Sequence, residues 1–252
     1  MTVEILPQTA FVFMLIFARI GTMIMVLPAL GERAMPRRVR LVFALALTLV
    51  MYPVLSLAFA ALPPGLYAAL KALVAEIVIG LFLGISVRLV MSALQVAGTT
   101  IAMQTGLGFA QNVDPTQGIR AALFASFLSV LAVTLIFVSD LHHLLLRAIA
   151  DSYTMFPPGK ELPLGDFAKM AVDTMAGSFR LAVQISAPFL VFGLIFYLGI
   201  GVLSRLMPQV QIFFLAMPMN ILAGFLLFMV LLATIITWFL QYFEAHVAQF
   251  LI

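Results

Sequence analysis

Residues 72 to 103, ALVAEIVIGLFLGISVRLVMSALQVAGTTIAM, form a nearly unbroken apolar run, and no other feature restricts this chain as much. As one helix it would reach about 48 Å, well past the roughly 30 Å of hydrocarbon in a bilayer. Comparable runs recur through a chain that is 64% hydrophobic and 9% charged, with a mean hydropathy of +1.20. Soluble domains are only about 45–50% apolar. In lipid, only helices and closed barrels satisfy every backbone polar group, and the two-residue alternation of a barrel strand is missing. The expected fold is an all-α integral membrane protein.

Six hydrophobic segments are expected, at about 10–30, 41–62, 72–103, 119–150, 175–200 and 220–245, in a single membrane domain over 1–252. Glu4 and Pro7 stand where a signal peptide would carry basic residues, so the first segment is expected to be retained. The run GERAMPRRVR at 31–40 supplies most of the net charge of +3 and reads as a cytoplasmic loop, not a nucleic-acid patch. That reading puts the N-terminus outside, with Lys71, Lys160 and Lys169 on the same side. The chain has no cysteine, which excludes disulfides and thiolate metal sites.

Charges interrupt the apolar segments at Arg19, Glu76, Arg88, Asp140, Asp173 and Arg180. Each costs about 2.5–3.5 kcal/mol at the centre of a lipid-exposed helix, so they are expected to face protein or water. Pro28, Pro53 and Pro188 predict kinks, and Gly80 with Gly84 predicts close approach of a second helix. Such features suit helices buried in a larger assembly.

No enzymatic signature is present: HExxH, GxSxG and the phosphate-binding GxxxxGK[ST] loop are all missing. His142 and His143 are adjacent, about 100° apart on a helix, and read as structural histidines rather than a metal pair. Glu76 and Arg88 are twelve residues apart, too far along one helix to pair. An ion-coupled transporter therefore has little support, and neither enzymatic activity nor a cofactor is expected.

Two breaker-rich stretches stand out. The first, QTGLGFAQNVDPTQG, runs from Gln104 to Gly118. Its glycines at 106, 108 and 118 free the backbone, while Asp114-Pro115 disfavours helix at Asp114 and offers a cap and first position for a following helix. On residues alone it reads as a solvated connection between spans. The second, RLMPQVQIFFLAMPMNI, runs from Arg205 to Ile221, and its two prolines forbid a continuous regular helix through a turn between the last segments.

The second stretch, R-x-x-P-Q-x-x-x-F-x-x-x-x-P-x-x-I, resembles the FliR family of flagellar export proteins and its virulence-secretion counterpart, SctT. FARIGTMIMVLPALGERAMPRRVRLVFALALT is similar to the family's first hairpin, and Gly106 to Pro115 match its central G-L-x-F-A-x-x-V-D-P motif. Ala216 departs from the glycine expected before the second proline. The resemblance implies a FliP-like part over about 1–165 and a FliQ-like C-terminal hairpin over about 166–252. It implies a structural subunit of a type III export gate, at the flagellar basal body in the bacterial inner membrane. FliP and FliQ would be its partners, FlhB and FlhA would lie near, and exported flagellar proteins would pass through. Under that implication the central loop plugs the channel, with Gly106, Leu107, Gly108, Phe109, Val113, Asp114, Pro115 and Gly118 as its residues. Leu107, Phe109 and Val113 would form the apolar seal. Arg205, Pro208, Gln209, Phe213 and Pro218 would form a partner-contact loop.

Overall fold

A computed structural model describes residues 2–28, 36–59, 65–107, 123–209 and 211–251, apart from the side chains of 2–7, 213 and 214. Its elements are helices: α1 (Thr2–Val26), α2 (Arg37–Leu55) with a 3₁₀ turn at Ser56–Ala58, α3 (Leu66–Gln104), α4 (Leu123–Val138), α5 (Leu141–Met155), α6 (Leu164–Leu206) and α7 (Ile212–Ala248). Five helices are long and apolar enough to cross a membrane, or six spans if α4 and α5 count as one. The all-α membrane fold expected from composition is what forms.

Three helices outrun any single span: α3 has 39 residues, α6 has 43 and α7 has 37. At helical rise these are about 55–65 Å long, where roughly 20 residues suffice to cross. The hydrophobic segments expected at 175–200 and 220–245 leave a connection of about twenty residues between them. Instead α6 continues to Leu206, and α7 starts at Ile212 with Pro218 inside it. A helix glycine costs only about 1 kcal/mol, and apolar runs of this length outweigh that local preference. Residues 119–150 depart in the other direction. The segment breaks between Val138 and Leu141 with a bend of 77°, and Asp140 there takes a left-handed φ of 60°. The exposed Asp140 lies at this corner and not within a span.

The chain forms two compact units. One comprises Met1–Val90, Ile136–Met175 and Phe243–Ile252. At its centre Arg19 of α1 is 1% exposed and Glu76 of α3 is 2% exposed. Arg19 Nε donates to Glu76 Oε2 at 2.5 Å, and Nη2 donates to Oε1 at 3.1 Å, giving the parallel fork that favours arginine over lysine. The remaining donors reach the end of α5: Nη1 to the Ser152 carbonyl at 2.9 Å and its hydroxyl at 3.1 Å, and Nη2 to the Phe156 carbonyl at 3.0 Å. The guanidinium carbon also lies 3.8 Å from the Tyr153 ring centroid. One side chain thus neutralises a carboxylate and donates to two carbonyls at the end of a third helix.

Gly80 and Gly84 make this contact possible. A Cβ at Gly80 would collide with the Arg19 carbonyl and the Thr22 hydroxyl, and one at Gly84 would lie 3.0 Å from the Met23 carbonyl. The predicted small-residue approach is therefore α3 against α1. Nearby, Phe82 stacks on Phe167 at 4.1 Å, and Phe156 meets Phe167 edge-on at 5.0 Å.

The other unit comprises Met91–Leu135 and Ala176–Tyr242. Gly98 places α3 directly on the α4 backbone at Ala125, Phe124 packs on Phe228 at 4.5 Å, and Leu94, Ile101, Phe189 and Phe239 are fully buried.

Removing either charge should leave the other buried and unpaired, so Glu76→Ala and Arg19→Leu are each expected to destabilise by roughly 3–5 kcal/mol. Arg19→Lys should keep the charge and lose the fork, with an intermediate loss. Thermal unfolding of the detergent-solubilised protein checks the order, and equal stability of Arg19→Lys and the native chain would contradict it. Gly80→Val is expected to abolish close packing of α3 on α1 and to reduce the folded protein recovered from membranes.

Candidate functional site

The singled-out stretch 104–118 leaves the end of α3, in the second unit, and its first four residues are described. Gly108, Phe109, Val113, Asp114, Pro115 and Gly118 lie outside the described residues. Helix α3 stops by its own geometry. Thr105 N–H still donates to the Ile101 carbonyl at 3.0 Å, whereas Gly106 N–H reaches back only to Met103 at 3.4 Å. Gly106 then has φ of 76°, the left-handed turn that commonly ends a helix and that glycine takes without strain. Leu107 follows, partly buried.

Two other helices, α7 and α6, hold this helix end. Asn220 of α7, 3% exposed, donates its Nδ2 to the Gln104 carbonyl at 3.3 Å and so caps one of the carbonyls that a helix C-terminus leaves open. Thr105 is fully buried, its hydroxyl returned to the Ile101 carbonyl at 2.9 Å. Gly224, one turn along α7 from Asn220, has no room for a Cβ because Thr105 fills the space. Gly193 of α6 is covered likewise by the Gln104 side-chain amide. Among the described residues, Asn220 Oδ1 is buried without a hydrogen-bond partner.

The late stretch is shorter than expected, and its residues are distributed between a turn and two helices. Arg205 lies in the last turn of α6, while Pro208 and Gln209 lie in an exposed turn. Phe213 belongs to the first turn of α7, with its side chain outside the described residues, and Pro218 is exposed on the same helix. Pro218 and Asn220 are two residues apart, about 200° around a helix, so one faces outward and the other inward. The end of α7 that carries the late stretch therefore also holds the start of the central one.

Sequence reasoning missed Asn220, Gly193 and Gly224. The available signal was a single amide within MPMNILAGF, since a polar side chain in an apolar helix needs a buried partner. At the α4–α5 corner, the His142 and His143 rings meet at a centroid distance of 4.1 Å, closer than helical phase alone implies, and His143 Nδ1 lies 3.6 Å from Asp140. One ligand atom from each of these three residues falls within 4.8 Å of the others, on an exposed corner. Of the other intramembrane charges, Arg88, Asp173 and Arg180 are exposed.

Residues 10–246 match the family described as Bacterial export proteins, family 1. The flagellar biosynthetic protein FliR of Caulobacter vibrioides is 43% identical over 214 residues, covering 85% of each chain. Its Escherichia coli K12 namesake is 32% identical over 82% of this chain and 78% of its own. The Bacillus subtilis 168 protein of the same name is 29% identical over 88% of this chain and 86% of its own.

Gly106→Val should force a β-branched residue into left-handed backbone, with its Cβ 3.1 Å from the Asn220 amide. A destabilisation of about 1–2 kcal/mol is expected from the backbone alone, with Gly106→Asn milder because asparagine tolerates this region. Thermal unfolding of the two variants side by side provides the check.

Proposed function

The chain belongs to the bacterial export proteins, family 1, and is a component of the flagellar export apparatus; on that premise we propose that it lines the protein export channel and that its central loop plugs it. The role is structural, not enzymatic. The protein sits in the bacterial inner membrane at the basal body, in one assembly with FliP and FliQ. Residues of about 1–165 act as a FliP-like part, and those of about 166–252, the α6–α7 hairpin, as a FliQ-like one.

One observation carries this reading: α3 ends in a buried, polar, three-segment joint at the point where the G-L-x-F-A-x-x-V-D-P motif begins. A mere connection between spans has no need of such an anchor. A loop that must hold a seal does, because its base has to keep one position while the apolar tip excludes water. In this proposal Leu107, Phe109 and Val113 supply that tip, Gly106, Gly108 and Gly118 supply its backbone freedom, and Asp114 and Pro115 belong to the same loop.

The long helices support an assembled state. Val50 is 74% exposed, Val172 66% and Val230 77%, while Arg88, Asp173 and Arg180 are also exposed on α3 and α6. A long helix such as α6, whose exposed positions include both a bare aliphatic and charges, suits neither lipid nor water throughout its length, and it suits contact with neighbouring protein helices. The turn carrying Pro208 and Gln209, flanked by Arg205, Phe213 and Pro218, is the contact for FlhB, with FlhA adjacent. Exported flagellar proteins are the substrates.

Gentle detergent extraction followed by native mass measurement should give a complex containing FliP and FliQ, and a lone monomer would overturn the assembly reading. Deleting residues 108–118 should raise ion leakage in cells with an otherwise intact gate. Normal assembly with unchanged leakage would refute the plug.

A further inference from the structure

We propose that Asp140, His142 and His143, at the corner between α4 and α5, bind a divalent transition-metal ion of the Zn²⁺ class, which clamps that corner. One ligand atom from each side chain lies within 4.8 Å of the other two, and His143 Nδ1 is 3.6 Å from Asp140 Oδ1. At metal–ligand distances of about 2.0–2.2 Å, two ligands on a tetrahedron stand roughly 3.3–3.5 Å apart. Asp140 and His143 are therefore already near coordinating separation. His142 needs a side-chain shift of only about 1–1.5 Å to join them.

The local backbone is what gathers the three. Adjacent histidines diverge by about 100° on a regular helix, yet these rings meet at 4.1 Å between centroids at the start of α5. From the end of α4, Phe137 stacks on His142 at 5.1 Å. Asp140 stands just before α5, where an aspartate ordinarily caps the first turn from extended backbone. Here it has φ 60° and ψ 10°, and its carboxylate makes no capping bond. That carboxylate instead faces His143. His142 Nδ1 is buried without a hydrogen-bond partner among the described residues. A bound cation gives a task both to a carboxylate released from capping and to an imidazole that no protein group engages at Nδ1.

Two imidazoles and one carboxylate also select the ion. Mg²⁺ and Ca²⁺ prefer shells of oxygen, whereas imidazole suits zinc, copper and nickel. Three protein ligands leave a fourth position for water or for a group from a neighbouring molecule. The positive end of α5 opposes a cation, but only weakly at an exposed helix start, and the Asp140 charge offsets it. Competition within the chain is small, because it has no cysteine and its third histidine, His246, is 4% exposed.

The test titrates Zn²⁺ into the full-length chain, purified in detergent with a tag free of histidine, and compares Asp140→Asn, His142→Gln, His143→Gln and all three combined. The native chain is expected to bind one ion. Each single substitution should weaken binding by more than the roughly 10–100-fold typical of outer-shell changes, since each removes a direct ligand. No saturable binding by the native chain would overturn the site, as would binding that survives the combined variant. Loss in the histidine variants with full affinity in Asp140→Asn would reduce the site to a two-histidine surface contact and overturn the three-ligand clamp. Asparagine tolerates left-handed backbone, so Asp140→Asn keeps the corner and decides the matter even if a histidine variant fails to fold. Zn²⁺ should also slow hydrogen exchange at residues 139–143 of the native chain and leave the combined variant unchanged. Unaltered exchange in the native chain would refute the clamp.

Discussion

The buried pair of Arg19 and Glu76 is the constraint around which the first unit is built. Two charges withdrawn from water are tolerated only when geometry and further hydrogen bonds compensate them, and here every element of the surroundings contributes. The fork to Glu76 joins α1 to α3, and the donors left over close the end of α5. The fork is formed where α3 lies against the α1 backbone, an approach that leaves no room for a side chain at Gly80. The aromatic packing of Phe82, Phe156 and Phe167 lies next to this arrangement, with Phe156 contributing to both.

The second unit uses the same physics in a milder form. Its key polar contact is neutral, a single amide on a helix-terminal carbonyl, and its close approaches again occur at glycines. A charge pair suits a permanent joint because breaking it strands a charge. A neutral amide bond is worth far less.

Much of the fold was legible in the residues. The all-α membrane class followed from the length of the apolar runs, and the approach of a helix at Gly80 and Gly84 followed from their spacing. Arg19 and Glu76 were recognisable as charges that needed protein, although not as partners, because 57 residues separate them and no local rule pairs positions so distant. Helix ends were less legible. Glycine and proline near Gly199 and Pro218 read as breakers, whereas flanking apolar runs carried the helices through them. Asp140 erred in the opposite sense, since nothing in its neighbours announces a left-handed residue and a 77° corner. For the candidate site, the Gln104–Gly118 stretch was identifiable from composition. The amide that anchors it was not, because it lies 116 residues away in an unremarkable apolar helix.

By itself the sequence determined the solvent class and the helical class of the fold, because hydrophobicity and the need to satisfy the backbone in lipid act locally and need no distant partner. It also marked where the chain departs from those rules, at Gly106, Pro208 and the buried charges. Tertiary structure alone decided which departures meet: Arg19 with Glu76 and the end of α5, and Gln104 with Asn220. The reason is that a buried polar group specifies only that it must have a partner, and the packing of helices selects which one comes within about 3 Å.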